Sequence, residues 1–377
     1  MSKKILILTA PIGMGHVKVA EALKENFSLK LKDIEVEIID IFNFFPAFIG
    51  KIILNSYAMI LKYCPSLYGR MYQASNSKNQ LVFFKDFTNS FLAKRIYKFI
   101  LNYNPDIIIN THATPGGLIS YLKKKNLITI PSFAVVTDFV VHKFWVYKEL
   151  DGYFVSTEEM QEYLKEQGIE ENKIMITGIP LRSAFEENTK EKKELAEIFY
   201  LNNEITTVLI MGGGAGFLPM AEIIEMFKKK NLSVQLILVA GKNENLYNKL
   251  IKIAEDCNNL LKIKVFGYVE NIAELMICAD LLISKPGGVT CAEALAKKLP
   301  IVIYKPLPGV EQKNTEYLIN NKFAICADSS QELVFILKDF ISEESIKLKD
   351  IKDKISLFNM DKSASNTTNF LIEKYLS

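Results

Sequence analysis

The stretch "LLISKPGGVTCAEALAKKLPIVIYKP", residues 281–306, contains two strand-like runs joined by a turn and a helical pattern. The runs that end at Ser284 and Tyr304 are short and rich in Ile, Val and Leu, as is typical of parallel strands covered by helices on both faces. Between them, Pro286–Gly288 predicts a turn, and a helical pattern begins near Val289. The stretch therefore predicts a strand–helix–strand unit of a parallel sheet.

Units of the same kind recur along the chain. In the first half, the other strand candidates are "KKILILT", "EVEIID", "DIIIN", "SFAVVT" and "GYFVS"; in the second, they are "TTVLIMG", "VQLILVAG" and "LKIKVFG". Strands that alternate with helical patterns argue for doubly wound α/β domains. A chain of 377 residues is long enough for two of them.

The boundary between the two domains is predicted near "TGIPLRSAFEENTKEKKE", residues 177–194, where Gly178 and Pro180 interrupt the pattern and a charged stretch follows. We predict an N-terminal domain over residues 1–178 and a C-terminal domain over residues 179–357. A final helix, about residues 358–377, is expected to pack back on the N-terminal domain.

Composition narrows the class of protein. Hydrophobic residues make up 49% of the chain and charged residues 24%, which argues against disorder. The five cysteines have no metal or redox spacing, so reduced thiols in a cytoplasmic protein are expected. The apolar run at the N-terminus is too short for a signal peptide, and no uncharged apolar stretch reaches about 18 residues. We expect no metal site.

The net charge of +3 conceals an asymmetry. Residues 1–150 contain 19 basic and 10 acidic residues, a net charge of +9. The remainder contains 27 basic and 33 acidic residues, a net charge of −6. Residues 51–100 alone contain 8 basic residues and 1 acidic residue, a net charge of +7. This favours an anionic surface as neighbour of the first half, although a merely solvated basic face explains it equally well. Residues 42–73 are aromatic and apolar and include Lys51, Lys62 and Arg70; they fit a membrane-interface segment or a helix pair on the core.

The turn in the opening stretch suits a nucleotide diphosphate. Glycines allow a pyrophosphate to approach the backbone, and the first N–H groups of a helix attract anions. The Thr290 hydroxyl can donate to the same group, and the Glu293 carboxylate can accept hydrogen bonds from a ribose diol. The alternative is an ordinary turn into a core helix.

Two further loops leave strand ends at the same edge. "YKPLPGVEQKN", residues 304–314, offers Glu311, Gln312 and Asn314 to sugar hydroxyls, although Glu311 also suits a helix start. "MGGGAGF", residues 211–217, places Gly212, Gly213 and Gly214 where a phosphate can approach closely. This loop has no Lys and Ser/Thr of a P-loop, which excludes the common kinase and ATPase motif.

The first loop, "TAPIGMGHVKVAEAL", places His16 at a helix N-terminus, where a neutral imidazole can deprotonate a hydroxyl. Lys18 stands where a dinucleotide fingerprint needs glycine, so an NAD site is a weak alternative; it is supported only by Asp40, which ends the second strand as a ribose-binding acid would.

The three histidines all follow predicted strands of the first domain. "VVTDFVVHKFW", residues 135–145, places Asp138 and His142 after one strand end. Asp138 can orient His16 or act as the base itself. His112, His142 and Trp145 are predicted to contact the acceptor.

Together these motifs resemble the diacylglycerol glucosyltransferases and monogalactosyldiacylglycerol synthases of glycosyltransferase family 28. The resemblance covers "LTAPIGMGH", "TDFVVHKFW", "TGIPLR" and the block from Phe266 to Asn314. It implies a GT-B fold, two Rossmann-like domains that face a cleft, with the lipid acceptor on the first and a UDP-sugar on the second. His16 is then the base, with Asp138 as its helper or replacement. The expected donor site comprises Gly15, Gly212, Gly213, Gly214, Gly267, Tyr268, Val269, Ser284, Lys285, Gly287, Gly288, Val289, Thr290, Glu293, Glu311, Gln312 and Asn314.

Within that set, the resemblance implies that Gly267–Val269 holds the uracil, Gly288–Thr290 the phosphates and Glu293 the ribose. Glu311 and Asn314 would hold the donor sugar. The chain departs from the family at Val310, where the family often has Gln, and at Pro11 and Met14, where it has small polar residues. These departures leave the identity of the sugar open.

The expected activity is inverting transfer of glucose from UDP-glucose to diacylglycerol, without a metal or other cofactor, at the anionic inner face of the cell membrane. No nucleic-acid partner is expected. The alternatives are UDP-galactose as donor, a polyprenyl-linked acceptor, a UDP-N-acetylglucosamine 2-epimerase, and a non-enzymatic UDP-sugar sensor.

Overall fold

The computed structural model describes residues 2–45, 50, 52, 55–56, 59–61, 63–76, 82–187, 190–212, 218–257, 261–342, 346–358 and 362–376. The chain divides into two units. The first comprises Met1–Ser183, Leu307–Val310 and Lys362–Ser377; the second comprises Ala184–Pro306 and Glu311–Asp361. The division after Ser183 lies inside the stretch in which the sequence predicts the boundary.

The first unit contains a sheet of six strands in which every described pair is parallel. The strands are β1 (Lys3–Thr9), β2 (Ile34–Asp40), β3 (Ile107–Asn110), β4 (Ser132–Val135), β5 (Gly152–Val155) and β6 (Ile174–Ile176). Their order is β2-β1-β3-β4-β5-β6. The direction of winding reverses between β1 and β3, which is where doubly wound sheets bind ligands at their carboxyl ends.

The second unit contains another six-stranded parallel sheet. Its strands are β7 (Thr207–Met211), β8 (Val234–Val239), β9 (Leu261–Phe266), β10 (Leu281–Ser284), β11 (Ile301–Tyr304) and β12 (Ala324–Ala327). The order is β12-β11-β10-β7-β8-β9, so the switch point lies between β7 and β10. The opening stretch of sequence thus forms β10, the next helix and β11, as predicted.

Helices follow most strands. Their bounds are Met14–Lys30, Pro65–Asn76, Val82–Tyr103, Ala113–Lys124, Glu158–Glu166, Ser183–Glu186, Lys192–Ile198, Met220–Lys229, Glu244–Glu255, Ile272–Cys278, Gly288–Ala296, Val310–Asn320, Ser330–Ile341, Ile346–Leu357 and Ser363–Leu371. The last of these continues as a π-helical turn over Ile372–Leu376. Among the described residues, no helix has the length and apolar character needed to cross a bilayer.

The central strands are buried because helices cover both sheet faces. Ile5, Leu6, Ile7 and Leu8 of β1 are each 0% exposed, so residues that point to opposite faces are equally shielded from water. This explains why the strand sequences are continuous apolar runs rather than alternating ones. The predicted α/β class with two parallel sheets is confirmed.

Polar contacts attach the C-terminal helix to the first unit. The Lys30 ammonium, at the end of the first helix, donates to the Ser365 carbonyl at 2.9 Å and to the Thr368 hydroxyl at 2.9 Å. Ser363 Oγ donates to the Ile179 carbonyl at 2.6 Å in a buried position. The segment Lys362–Ser377 therefore belongs to the first unit although it follows the second in sequence.

Candidate active site

His16 lies in the first turn of the helix Met14–Lys30, directly beyond the carboxyl end of β1. The helix is preceded by Gly13, whose φ of +87° is a conformation that favours glycine. In the part of the chain that the structure describes, a side chain built at Gly13 would meet no atom within 4 Å, so the loop is open to that side. The His16 imidazole therefore lies beside the open loop at Gly13, at the switch point of the first sheet.

Two oxygen atoms lie at the Nδ1 atom of His16. The Thr111 carbonyl oxygen, just beyond β3, is 2.8 Å away, and the Thr137 hydroxyl, just beyond β4, is also 2.8 Å away. A carbonyl oxygen can only accept a hydrogen bond, so Nδ1 carries the proton of the neutral ring. The lone pair is then on Nε2, which is the nitrogen able to take a proton from a substrate.

His112 stands next to His16 and is itself held in the neutral form. Its Nδ1 accepts a hydrogen bond from the Thr114 amide at 3.1 Å, which caps the helix Ala113–Lys124. Burial, and then the nearby His16 ring, lower the pKa of His112 well below its ordinary value. Trp145 completes the cluster, with its ring centroid 6.5 Å from that of His16 and 6.4 Å from that of His112.

The electrostatics keep His16 neutral at ordinary pH. Burial lowers the pKa of the His16 imidazole, while the Asp138 carboxylate and the Thr111 carbonyl act in the opposite direction. Asp138 is half-buried, and Ser156 Oγ donates to its backbone carbonyl at 3.0 Å. The Asp138 carboxylate thus acts on His16 through its charge, while the oxygens 2.8 Å from Nδ1 come from threonines. Its role as helper or replacement of the base stays a prediction.

His142 occupies a packed position rather than an open one. The residue is 8% exposed, and its Nδ1 accepts from the Phe144 amide at 3.1 Å. Its ring stacks obliquely on Tyr72, centroids 4.5 Å apart, and its Nε2 lies 3.4 Å from the Tyr72 carbonyl oxygen. His142 therefore attaches the helix Pro65–Asn76 to the loop after β4. Its contact with an acceptor stays a prediction.

In the second unit, the turn after β10 is built from buried polar contacts. Ser284 Oγ donates to the Met211 carbonyl at 2.9 Å, which joins the ends of β10 and β7. The Lys285 side chain is largely buried, and its ammonium donates to the Lys305 carbonyl beyond β11. Burial lowers the pKa of Lys285, and the Glu311 carboxylate opposes that shift. The Lys285 ammonium thus lies at the carboxyl ends of β10 and β11.

The helix Gly288–Ala296 begins at this turn, with Gly287 as its N-cap. Helical geometry leaves the amides of Gly288, Val289 and Thr290 without an intrahelical carbonyl. A side chain built at Gly287 would meet no atom of the described residues within 4 Å, so those residues leave room in front of these amides. Open space, unfilled helical donors and a neighbouring lysine together suit an anionic group.

Four predicted polar residues lie on the two helices that follow β10 and β11. Asn314 is 0% exposed, and its amide nitrogen donates to the Pro286 carbonyl at 3.0 Å, so it holds the turn in place. Glu293 is 8% exposed and lies within the helix that begins at Gly288. Glu311 is half-buried and Gln312 exposed, both at the start of the helix Val310–Asn320. Contacts of these residues with a sugar stay predictions.

The loop after β9 is the expected uracil site. Tyr268 is 48% exposed, and the Lys242 ammonium lies 5.2 Å from the centroid of its ring. Lys242 comes from the neighbouring loop after β8, where Gly241 has a φ of +62°. Gly267 and Val269 are half-buried on either side of Tyr268. Sequence reasoning missed Lys242, since an isolated exposed lysine has no recognisable pattern.

The remaining predicted residues have simpler outcomes. Gly15 lies in the first turn of the helix Met14–Lys30, beside His16. Gly212 follows β7, whereas Gly213 and Gly214 lie outside the described residues. The Asp40 carboxylate accepts from the Phe42 amide at 2.8 Å and caps a short turn. This capping role accounts for Asp40 at the end of β2 without a dinucleotide.

Sequence reasoning also missed Thr111 and Thr137, which contact the predicted base directly. Thr111 acts through its backbone, so its side-chain type contains no signal. Thr137 precedes Asp138 in the "TDF" motif, and only that position could have suggested it. Among the described residues, no group of three or more His, Cys, Asp or Glu side chains is arranged to hold a metal ion.

Comparison with known families covers most of the chain. The family model described as monogalactosyldiacylglycerol (MGDG) synthase matches residues 16–181, and that of the glycosyltransferase family 28 C-terminal domain matches residues 207–367. The chain is 34% identical over 375 residues to a processive diacylglycerol beta-glucosyltransferase of Bacillus cereus (strain B4264). The alignment covers 98% of this chain and 93% of the relative.

Solved structures share the fold at low sequence identity. Phytolacca americana UGT2, complexed with UDP-2fluoro-glucose and pterostilbene, has a TM-score of 0.65 and 12% identity, with both chains fully covered. A UDP-GlcNAc 2-epimerase from Neisseria meningitidis has a TM-score of 0.63 and 12% identity, covering 98% of this chain and 100% of its own. These similarities concern architecture alone.

Proposed function

The chain belongs to glycosyltransferase family 28, and from this membership we propose that it transfers glucose from UDP-glucose to diacylglycerol, with inversion at the anomeric carbon. The relative that is 34% identical over nearly its full length is named for glucosyl transfer to diacylglycerol. The structural observation that carries the proposal is His16, whose Nδ1–H is engaged by the Thr111 carbonyl. This leaves the lone pair of Nε2 for an acceptor hydroxyl.

The second unit supplies the donor site in this proposal. The amides of Gly288–Thr290 and the Lys285 ammonium receive the pyrophosphate, and the Glu293 carboxylate accepts hydrogen bonds from the ribose hydroxyls. The loop at Tyr268 takes the uracil. Preorganised donors at the pyrophosphate stabilise the negative charge that develops as UDP leaves, and such electrostatic terms are usually the largest in catalysis.

The first unit supplies the chemistry on the acceptor. Nε2 of His16 removes the proton from the free hydroxyl of diacylglycerol while that oxygen attacks the anomeric carbon. The bond from that carbon to the β-phosphate oxygen breaks, the electron pair leaves with UDP, and the configuration inverts. The negative charge of Asp138 stabilises the imidazolium that results. No step of this scheme uses a metal or cofactor.

Glucose is favoured over galactose because the 34% identical relative is named as a glucosyltransferase. The N-terminal family model is described by a galactolipid synthase, so UDP-galactose remains the competing donor. Epimerases share the architecture at 12% identity, but an epimerase needs neither a lipid acceptor nor an acceptor-side base.

Attachment to a membrane follows from the proposed acceptor. Large apolar side chains lie exposed at helical spacing between residues 52 and 71: Ile52, Met59, Tyr63, Leu67 and Met71. Among residues 51–100, the basic side chains that the structure describes are Arg70, Lys94, Arg95 and Lys98, and all four are exposed; Lys51 and Lys62 lie outside the described residues. Apolar side chains beside cations suit the interface of an anionic bilayer. We place the enzyme on the inner face of the cell membrane, with no nucleic-acid partner.

A turnover assay tests the activity. Purified protein is incubated with diacylglycerol in liposomes and with UDP-glucose, UDP-galactose or UDP-N-acetylglucosamine, and lipid products and free UDP are measured. Glucosyl-diacylglycerol formed in equal amount to UDP is the expected result. A galactolipid would correct the donor, and UDP release or epimerised sugar without any glycolipid would refute the proposal.

A further inference from the structure

Thr137 is a buried side chain in direct contact with the predicted base. It is 3% exposed and follows β4, where the Val136 amide donates to the Phe154 carbonyl at 3.0 Å. The sheet therefore fixes the backbone on which Thr137 is mounted. Its hydroxyl oxygen lies 2.8 Å from Nδ1 of His16, a normal hydrogen-bond length.

The two oxygens on Nδ1 do not have the same role. The Thr111 carbonyl belongs to backbone that continues the β1–β3 ladder, because the Thr111 amide donates to the Leu8 carbonyl at 3.0 Å. As a pure acceptor held by the sheet, this carbonyl suffices to fix the tautomer of His16. The Thr137 hydroxyl is therefore not needed to fix the tautomer. Its contact with Nδ1 must serve a different purpose.

We propose that the Thr137 hydroxyl is a positioning group for the base: together with the Thr111 carbonyl it accepts a bifurcated hydrogen bond from the single Nδ1–H of His16, and it stabilises the imidazolium formed when Nε2 takes the acceptor's proton. This inference rests on the proposed role of His16 in glycosyl transfer. Hydrogen bonds that involve a charged partner are about twice as strong as neutral ones, so the contact is stronger after proton transfer than before it. Interactions of that kind raise turnover rather than substrate affinity.

The charged and titratable groups around His16 leave this task to a neutral hydroxyl. Burial lowers the pKa of His16, the Asp138 carboxylate in the loop after β4 opposes that shift, and the neutral His112 ring lies on the side of β3. On the helix of His16 itself, Lys18 is paired with Glu21 at 2.9 Å. A hydroxyl stabilises the imidazolium form of His16. Because it carries no negative charge, it does not favour that form as strongly in the resting enzyme as a second carboxylate would.

The test separates the hydroxyl of Thr137 from its shape. Thr137→Val removes the hydroxyl, and Thr137→Ser keeps it. Thr9→Val is the matched control, since Thr9 is a 2% exposed residue at the end of β1 whose hydroxyl has no partner in the described part of the chain. Folding is checked by thermal unfolding and by UDP calorimetry for every variant.

For Thr137→Val we expect kcat to fall about 10- to 100-fold, the factor that corresponds to one hydrogen bond to a charged group, with KM nearly unchanged. The acid limb of the pH–rate profile should move to lower pH, because the protonated form of His16 has lost an acceptor. Thr137→Ser should restore both quantities, and Thr9→Val should match the wild type. Equal kcat and an unmoved acid limb in Thr137→Val would overturn the inference.

A second measurement does not depend on turnover. Histidine labelled with ¹³C reports the titration of the His16 ring by NMR, and Thr137→Val should lower its pKa relative to the wild type and to Thr9→Val. An unchanged titration contradicts the hydrogen bond to the imidazolium. If the wild type shows no glycosyl transfer, the proposed function is wrong, and the titration still decides whether Thr137 supports the charged ring.

Discussion

The imidazole rings of His16 and His112 meet edge to face, with their centroids 4.6 Å apart and their planes at 89°. His112 receives a hydrogen bond from the Thr114 amide on its Nδ1, so that nitrogen cannot carry a proton while the helix cap is intact. Burial lowers the pKa of both rings in the folded protein. The folded state therefore contains two adjacent neutral histidines, which has consequences for stability and for catalysis.

The first prediction concerns stability in mild acid. Above the ordinary histidine pKa of about 6.5 the rings are neutral in both states, and their contribution is complete. As the pH falls below that value, the unfolded chain binds protons that the folded chain does not, so stability is lost at up to about 1.4 kcal/mol per pH unit for each histidine. His112→Asn should retain the helix cap, since Asn is a strong N-cap, and should lose less stability between pH 7.5 and 5.5.

Urea unfolding at the two pH values measures this difference. If His112→Asn and the wild type lose the same free energy of unfolding between pH 7.5 and 5.5, the folded protein does not keep His112 neutral, and the prediction is wrong.

The second prediction concerns the base. His16→Ala should lower turnover by about 10²–10⁴-fold, the usual contribution of a general base, and should leave UDP affinity nearly intact. Glu21→Gln on the same helix is the control and should keep normal turnover. Steady-state kinetics and UDP calorimetry give the two quantities. Near-normal turnover of His16→Ala would make Asp138 the better candidate for the base.

The third prediction concerns the donor site. Glu293→Ala should weaken UDP binding by roughly 1–3 kcal/mol, because it removes a charged acceptor of ribose hydrogen bonds. Glu316→Ala is the matched control, since Glu316 is exposed in the same unit and forms an ion pair with Lys313 on its own helix. Calorimetry with UDP on the folded variants makes the comparison. Equal affinity in both variants would exclude Glu293 from the nucleotide site.

The fourth prediction concerns the membrane. Leu67→Ser with Met71→Ser removes two exposed apolar side chains from the helix Pro65–Asn76, where they are 47% and 53% exposed. A large apolar side chain contributes about 1.5–3 kcal/mol when buried, so binding to liposomes should fall at least about tenfold. Leu101→Ser with Leu127→Ser is the control, at 56% and 44% exposure elsewhere in the first unit.

Flotation with anionic and neutral liposomes at several salt concentrations separates the two forces. Binding of the wild type should weaken with added salt on anionic vesicles only, because exposed cations are screened within a Debye length. Equal binding to both kinds of vesicle at every salt concentration would contradict the electrostatic part. No loss of binding in the Leu67 and Met71 variant would contradict the apolar part.

The amino-acid sequence by itself determined the local elements of this protein. Continuous Ile/Val/Leu runs predicted the buried parallel strands because helices on both faces remove the need for alternation. The turn at Pro286–Gly288 and the helix after it were also predictable, because turn-forming glycines and helical periodicity are visible in short stretches of neighbouring residues. The motifs around His16 and Glu293 are therefore recognisable from the sequence alone.

Only the tertiary structure decided which groups surround those motifs. Thr111 and Thr137 meet His16 across sequence separations of 95 and 121 residues, because β3 and β4 follow β1 in the sheet order. Asn314 is fully buried, and its amide donates to the Pro286 carbonyl, a contact that the sequence did not indicate. Strand order and hydrogen-bond partners depend on residues that are distant in the sequence. The periodicity of a segment therefore predicts which of its residues are buried, but not which residues they contact.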